Sequence, residues 1–130
     1  MTFYEQQIGK IREQCYSNVG QIATVIQVRR FIDDNFDREL TLDDLTSVRL
    51  TSKFYLLRLF RRYYGQTPRQ YLIEKRIEKA KELLRNGRSV TEACFAVGYE
   101  TPSSFATLFR RRSGVTPSEF RRRAIFAKLG

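Results

Sequence analysis

The sequence predicts an all-α protein made of two helix-turn-helix subdomains joined by a long linker helix, and three observations carry that reading. Apolar residues recur at helical spacing almost everywhere, and no run alternates with period two over a useful length. Helix starts are legible at Thr41 with Asp44, Thr67 with Gln70, Ser89 with Glu92 and Thr116 with Glu119. In each, a hydroxyl takes a first-turn N–H and a polar side chain can reach back. Finally, a stretch that ends in a basic helix recurs 49 residues later. With 130 residues the chain fits one compact domain or two small halves sharing a core.

Helices are expected near 2–16, 21–35, 42–48, 53–64, 68–86, 90–97, 102–113 and 117–127. They group as an N-terminal amphipathic helix in 1–20, a first helix-turn-helix subdomain in 21–66, the linker helix in 67–87 and a second subdomain in 88–130. Pro68 and Pro117 take first helical positions, where the missing N–H costs nothing, and Gly65, Gly87 and Gly114 read as stops.

In the first helix Tyr4, Ile8, Ile11 and Cys15 form a stripe that either packs on the body of the domain or makes a dimer contact, with a break around Asn18 and Gly20. The next helix puts Ile22, Val25, Ile32 and Phe36 on a core face. Asp33, Asp34, Asp37, Asp43 and Asp44 lack the glycine and terminal Glu of a calcium loop, and read as solvated helix ends and caps. In 53–64, Leu56, Leu59, Phe60 and Tyr63 form the core stripe and leave Phe54, Leu57, Arg58 and Arg61 together on the other side. The linker aligns Ile73, Ile77, Ala80 and Leu84, while Glu74, Lys75, Glu78, Lys79, Lys81 and Glu82 offer i,i+4 support. At ~1.5 Å per residue it spans roughly 27 Å, the scale that separates two recognition helices by about one DNA turn of ~34 Å. In 102–113, Phe105, Leu108 and Phe109 point inward and Ser103, Ala106, Thr107 and Arg110 outward.

Charge narrows the partners. Residues 1–50 carry 6 basic and 8 acidic side chains, whereas residues 51–130 carry 18 and 6, so the net +10 is concentrated in one part of the chain. Such a block implies a polyanion, either nucleic acid or an anionic membrane surface. The sequence has no His, which removes His-based acid–base chemistry and Ser-His or Cys-His dyads. Cys15 and Cys94 cannot assemble a zinc site, and both read as buried structural thiols in a reducing cytosol. No stretch approaches the ~20 apolar residues of a membrane span, and the N-terminus does not read as a signal peptide. The expectation is a cytoplasmic protein that is not an enzyme and needs no cofactor or metal.

The repeat sharpens this. Leu59, Phe60, Arg61, Arg62, Gly65, Thr67, Pro68 and Tyr71 recur as Leu108, Phe109, Arg110, Arg111, Gly114, Thr116, Pro117 and Phe120. Upstream, Thr41 and Leu42 recur 48 residues on as Ser89 and Val90. Each copy is a capped short helix, a turn and a longer basic helix, the unit whose second helix enters the major groove of double-stranded DNA. Arg58 can grip guanine in a bidentate fashion, and Leu57 and Phe54 can meet thymine methyls. Lys53, Arg61, Arg62, Arg110, Arg111 and Arg112 suit phosphate positioning. The rival reading is a nonspecific architectural DNA-binding protein, which needs charge but no ordered base-reading face; Arg58 with Phe54 and Leu57 disfavours it.

In SKFYLLRLFRRYYGQTPRQYL (Ser52–Leu72), RIEKAKELL (Arg76–Leu84) and VGYETPSSFATLFRRRSGVTPSEFR (Val97–Arg121), the chain resembles the DNA-binding domain of the AraC/XylS family of bacterial transcription regulators. The resemblance covers roughly Gln21 to Arg123, and only about 20 residues precede it, as in the short, stand-alone members. It implies two helix-turn-helix subdomains joined by a long helix, a site of around two helical turns, and activation through contact with RNA polymerase. Two recognition units in one chain remove the need for a dimer, so binding as a monomer is expected. It places Phe54, Leu57 and Arg58 where relatives contact bases in the first unit, and Pro102, Ser103, Ser104 and Thr107 in the second. Thr46 and Leu50 stand where the family has a small residue and a glycine, which predicts a looser first turn. Cys94 holds a usual alanine position. Thr107 replaces an arginine of some relatives, which predicts weaker base readout there.

Overall fold

The computed structural model describes residues 2–129, with the side chains of residue 4 and residues 8–17 outside that description. The described residues form α1 (Phe3–Asn35), α2 (Leu42–Ser47), α3 (Lys53–Tyr64), α4 (Pro68–Arg85), α5 (Val90–Ala96), α6 (Pro102–Ser113) and α7 (Pro117–Leu129), without a strand. The architecture is the all-α, double helix-turn-helix arrangement the sequence predicts. The expected break near residue 18 does not occur, and α1 runs on for 33 residues. No proline interrupts it. Each internal glycine, Gly9 and Gly20, costs only about 1 kcal/mol, and Thr24 Oγ1 donates to the Gly20 carbonyl at 2.9 Å. The stripe of Tyr4, Ile8, Ile11 and Cys15 lies outside the described side chains.

The chain divides into two compact units, one formed by the chain to Ile32 with Thr41–Pro68, the other by Asp33–Leu40 with Arg69–Gly130. In the first, Val25, Val28 and Ile32 of α1, Leu45 of α2 and Leu56, Leu59 and Phe60 of α3 are buried. Three side chains assigned to this core are not in it: Phe36 packs in the second unit, and Ile22 and Tyr63 are partly exposed. Ile22 is 43% exposed, and Val28 takes the interior instead. Tyr63 is 37% exposed because its phenol is amphipathic; the hydroxyl sits 3.0 Å from Gln21 Oε1 and donates to it.

In the second unit, Ile77, Ala80 and Leu84 of α4 pack with Ala93, Cys94, Val97, Phe105 and Phe109, flanked by Ile73 and Phe120. Phe36, beyond the end of α1, packs against this same cluster. Leu108 is half-buried rather than interior. Arg76 ties the 33–40 segment down: Nε donates to Phe36 O at 2.7 Å, Nη2 donates to Arg38 O at 2.8 Å, and the guanidinium lies 5.1 Å from the centre of the Tyr99 ring. Tyr71 donates to Asp33 Oδ1 at 2.6 Å. Arg121 donates to the carbonyls of Gly87 and Arg88, and Lys128 to that of Arg85, which satisfies the end of α4 from α7.

Capping follows local chemistry. The full reciprocal box forms at Thr41 and Asp44. At Ser89 the hydroxyl caps Glu92 N, but the Glu92 carboxylate takes the Ser89 hydroxyl and Arg88 rather than the cap backbone. At Thr116 the carboxylate of Glu119 goes to Arg122 and Arg123. On α4 the ion pairs Lys79–Glu82 and Glu78–Lys81 are three residues apart, not four. Exposed pairs of this kind contribute a few tenths of a kcal/mol each.

The expectation of a looser first turn is not met. Thr51 N donates to Thr46 O at 3.1 Å, and in the second unit Tyr99 N donates to Cys94 O at 3.1 Å, the same closure 48 residues on. Leu50 achieves it by adopting φ 49°. Cys94 is fully buried, with its thiol directed to Tyr99 O and its pKa pushed up by burial.

Candidate nucleic-acid interface

The basic helix of the first unit is α3. Ser52 caps it, its hydroxyl accepting from Tyr55 N at 3.1 Å, and Gly65 ends it in the left-handed conformation. Burial of Leu56, Leu59 and Phe60 fixes the rotation of α3 about its axis. That forces Phe54, Leu57 and Arg58 outward together, because residues three and four apart share a face. Phe54 is 83% exposed and Leu57 37% exposed. Arg58 is exposed with its guanidinium 5.9 Å from the Tyr55 ring centre, and Arg62 lies over Tyr63. Arg61 and Arg62 follow on the exposed last turn.

Lys53, expected to hold phosphate, is ion-paired within the protein. Its Nζ is 2.9 Å from Asp43 Oδ1. The remaining assigned cations are different. Among the described residues, none of Arg58, Arg61, Arg62, Arg110, Arg111 and Arg112 pairs with a carboxylate. Carboxylates are matched instead to Lys75, Lys79, Lys81, Arg88, Arg122 and Arg123. Six cations without a carboxylate partner among the described residues thus lie on α3 and α6.

In the second unit α6 is capped by Thr101, whose hydroxyl accepts from Ser104 N and donates to Ser104 Oγ. Phe105 and Phe109 are buried and set its rotation. Pro102, Ser103, Ser104 and Thr107 are exposed at its N-terminal half and Arg110, Arg111 and Arg112 at its C-terminal end. Ala106 is half-buried. The Thr107 hydroxyl donates to Ser103 O at 2.9 Å, so its proton is already engaged and only its lone pairs face outward. The hydroxyl of Ser103 makes no such internal bond.

Sequence reasoning missed Ser52 and Thr101, the two hydroxyls that start α3 and α6. Neither has a Glu or Gln three residues on, so the reciprocal-box pattern passed over them. It also missed Arg76, whose partners are backbone carbonyls some 40 residues away and leave no local signal. Burial raises the Tyr99 hydroxyl pKa, and the adjacent Arg76 opposes that shift. Among the described residues no group of His, Cys, Asp and Glu could hold a metal ion, and no helix is long and apolar enough to cross a membrane.

Comparison with known proteins places this geometry. A family model described as "Helix-turn-helix domain" matches residues 49–123. The chain is 34% identical over 119 residues to an uncharacterized HTH-type transcriptional regulator of Pseudoalteromonas carrageenovora, covering 91% of this chain and 71% of that one. It is 33% identical to the HTH-type transcriptional activator RhaS of Enterobacter sp., covering 76% of this chain but 36% of RhaS. Among solved structures, a probable AraC family transcriptional regulator from Rhodopseudomonas palustris superposes with a TM-score of 0.70 at 30% identity, over 78% of this chain and 97% of that one. The DNA-binding domain of AdpA, solved in complex with a target DNA, superposes with a TM-score of 0.71 at 26% identity, over 75% and 89%.

Proposed function

Since the chain belongs to the AraC family of helix-turn-helix, DNA-binding transcription regulators, we propose that it is a sequence-specific regulator. In this reading α3 and α6 enter adjacent major-groove segments of one double-stranded site. The observation that supports specificity is the outward face of α3. Coating phosphates needs cations alone, whereas α3 exposes an 83% accessible Phe54 and Leu57 beside an unpaired Arg58. Arg58 takes guanine, and Phe54 and Leu57 take thymine methyls. Ser103, Ser104 and Thr107 read the second half-site through hydroxyls. Arg61, Arg62, Arg110, Arg111 and Arg112, with Lys53 once released from Asp43, hold phosphates.

Two reading units in one chain supply what single-unit proteins obtain by dimerising, so the protein binds as a monomer. RhaS is named an activator, and this chain is proposed to activate in the same way, on DNA in the cytoplasm and through RNA polymerase. Selection of bound sequences from a random DNA pool, followed by gel competition against unrelated DNA, tests the reading. One enriched motif that outcompetes unrelated DNA by at least about 10³-fold supports it. Equal competition by all DNA would make the protein an architectural coat.

A further inference from the structure

We propose that the first unit recognises a 5-methylpyrimidine–guanine step, with Phe54 and Leu57 on the C5 methyl and Arg58 on the guanine. The contact would accept 5-methylcytosine in place of thymine. This rests on α3 being a base-reading helix. The two units supply the contrast that carries it. In the 49-residue repeat, Phe54, Leu57 and Arg58 correspond to Ser103, Ala106 and Thr107. One helix thus presents two large apolar side chains and a planar cation where the other presents two hydroxyls and a methyl.

The apolar pair and the fork lie within one helical turn, about 5–6 Å apart at Cβ, so they can reach neighbouring base pairs ~3.4 Å apart but not distant ones. In the major groove the C5 methyl is the only apolar group a base edge shows. Neither Phe54 nor Leu57 can hydrogen-bond, so they respond to that methyl and not to the O4 or N4 beside it. A methyl on cytosine is then equivalent to the methyl of thymine, and the first half-site becomes sensitive to cytosine methylation. The second half-site is less sensitive, because it presents only the small methyls of Ala106 and Thr107 beside hydroxyls.

The test uses the full chain and the selected site in fluorescence anisotropy. Each thymine is replaced in turn by uracil, which removes only the methyl. The thymine beside the guanine is also replaced by cytosine and by 5-methylcytosine, each paired with guanine. Removing one buried methyl is expected to weaken binding roughly four-fold. That loss should fall at the pyrimidine adjacent to the guanine whose preference disappears in Arg58→Ala. Methylation of the substituted cytosine should recover a similar factor. Phe54→Ser, which installs the residue of the second unit on an exposed position, should abolish the thymine–uracil difference while the guanine preference and the melting temperature persist; Leu57→Ala should reduce it. If a guanine preference depends on Arg58 but every thymine tolerates uracil, the methyl assignment is wrong while the base-reading role of α3 stands. A selected site with no 5-methylpyrimidine beside that guanine overturns it equally. If no sequence is enriched at all, the functional reading fails and the proposal fails with it.

Discussion

Leu50 and Gly98, 48 residues apart, hold the same turn in the left-handed region of backbone space, at φ 49° and φ 94°. The two positions differ in what surrounds them. A Cβ at Gly98 would lie 2.9 Å from the Asp37 carbonyl carbon and oxygen, so glycine there answers both a strained φ and a close backbone approach. Leu50 is 94% exposed, and its side chain projects into solvent. The first unit pays only the conformational cost, roughly 1–2 kcal/mol for an L-residue in this region.

Leu50→Gly is therefore expected to stabilise the protein by about 0.5–1 kcal/mol, the strain relieved less the extra freedom glycine has when unfolded. Gly98→Ala should destabilise it by about 2–4 kcal/mol, from strain plus overpacking against Asp37. Equilibrium urea denaturation of both variants checks the pair, and equal effects would contradict it.

Gly20 lies inside α1, and nothing stands within 4 Å of a Cβ placed there. Gly20→Ala should stabilise the protein by about 0.8–1 kcal/mol. A destabilised variant would mean that α1 is broken at Gly20 after all.

The Lys53–Asp43 pair engages a cation proposed to hold phosphate, and both side chains are largely exposed. An exposed pair is weak, so DNA can displace it. Asp43→Asn should raise affinity about two- to three-fold at low salt, with little change in stability. For the wild type, six to eight phosphate contacts correspond to a slope of log K against log[salt] of about −5 to −7. A slope shallower than about −2 would show that the basic helices are not the DNA face.

What was legible in the sequence is what local chemistry decides. Thr41 with Asp44 announces a helix start because both halves of the box lie within one turn, and Gly65 and Gly114 announce stops because the left-handed cap is a local requirement. The repeat exposed the outward faces of α3 and α6, since Leu56, Phe60, Phe105 and Phe109 had to be inside. The continuity of α1 was not legible. Asn18 and Gly20 are weak breakers whose cost of about 1 kcal/mol is set against tertiary packing that no local pattern reports. Nor was the Lys53–Asp43 pair, which joins residues on different helices, or the internal bond that occupies the Thr107 hydroxyl. The core assignment of Tyr63 failed because periodicity treats a tyrosine as apolar and ignores its polar tip.

The central claim is that the two units share affinity but not information. Arg58 offers an unpaired planar fork, worth about 1–3 kcal/mol of discrimination at a guanine. Thr107 has its proton engaged on Ser103 O, so its loss should change affinity by less than about 1 kcal/mol. The direct measurement is the affinity of every single-base-pair variant of the selected site for wild type, Arg58→Ala and Thr107→Ala. The steepest dependence is expected under the first unit, at one base pair, and Arg58→Ala should flatten it there while leaving the other positions ranked as before. If the steepest dependence lies under the second unit, or Arg58→Ala weakens all sequences alike, Arg58 is a phosphate contact and the claim is wrong.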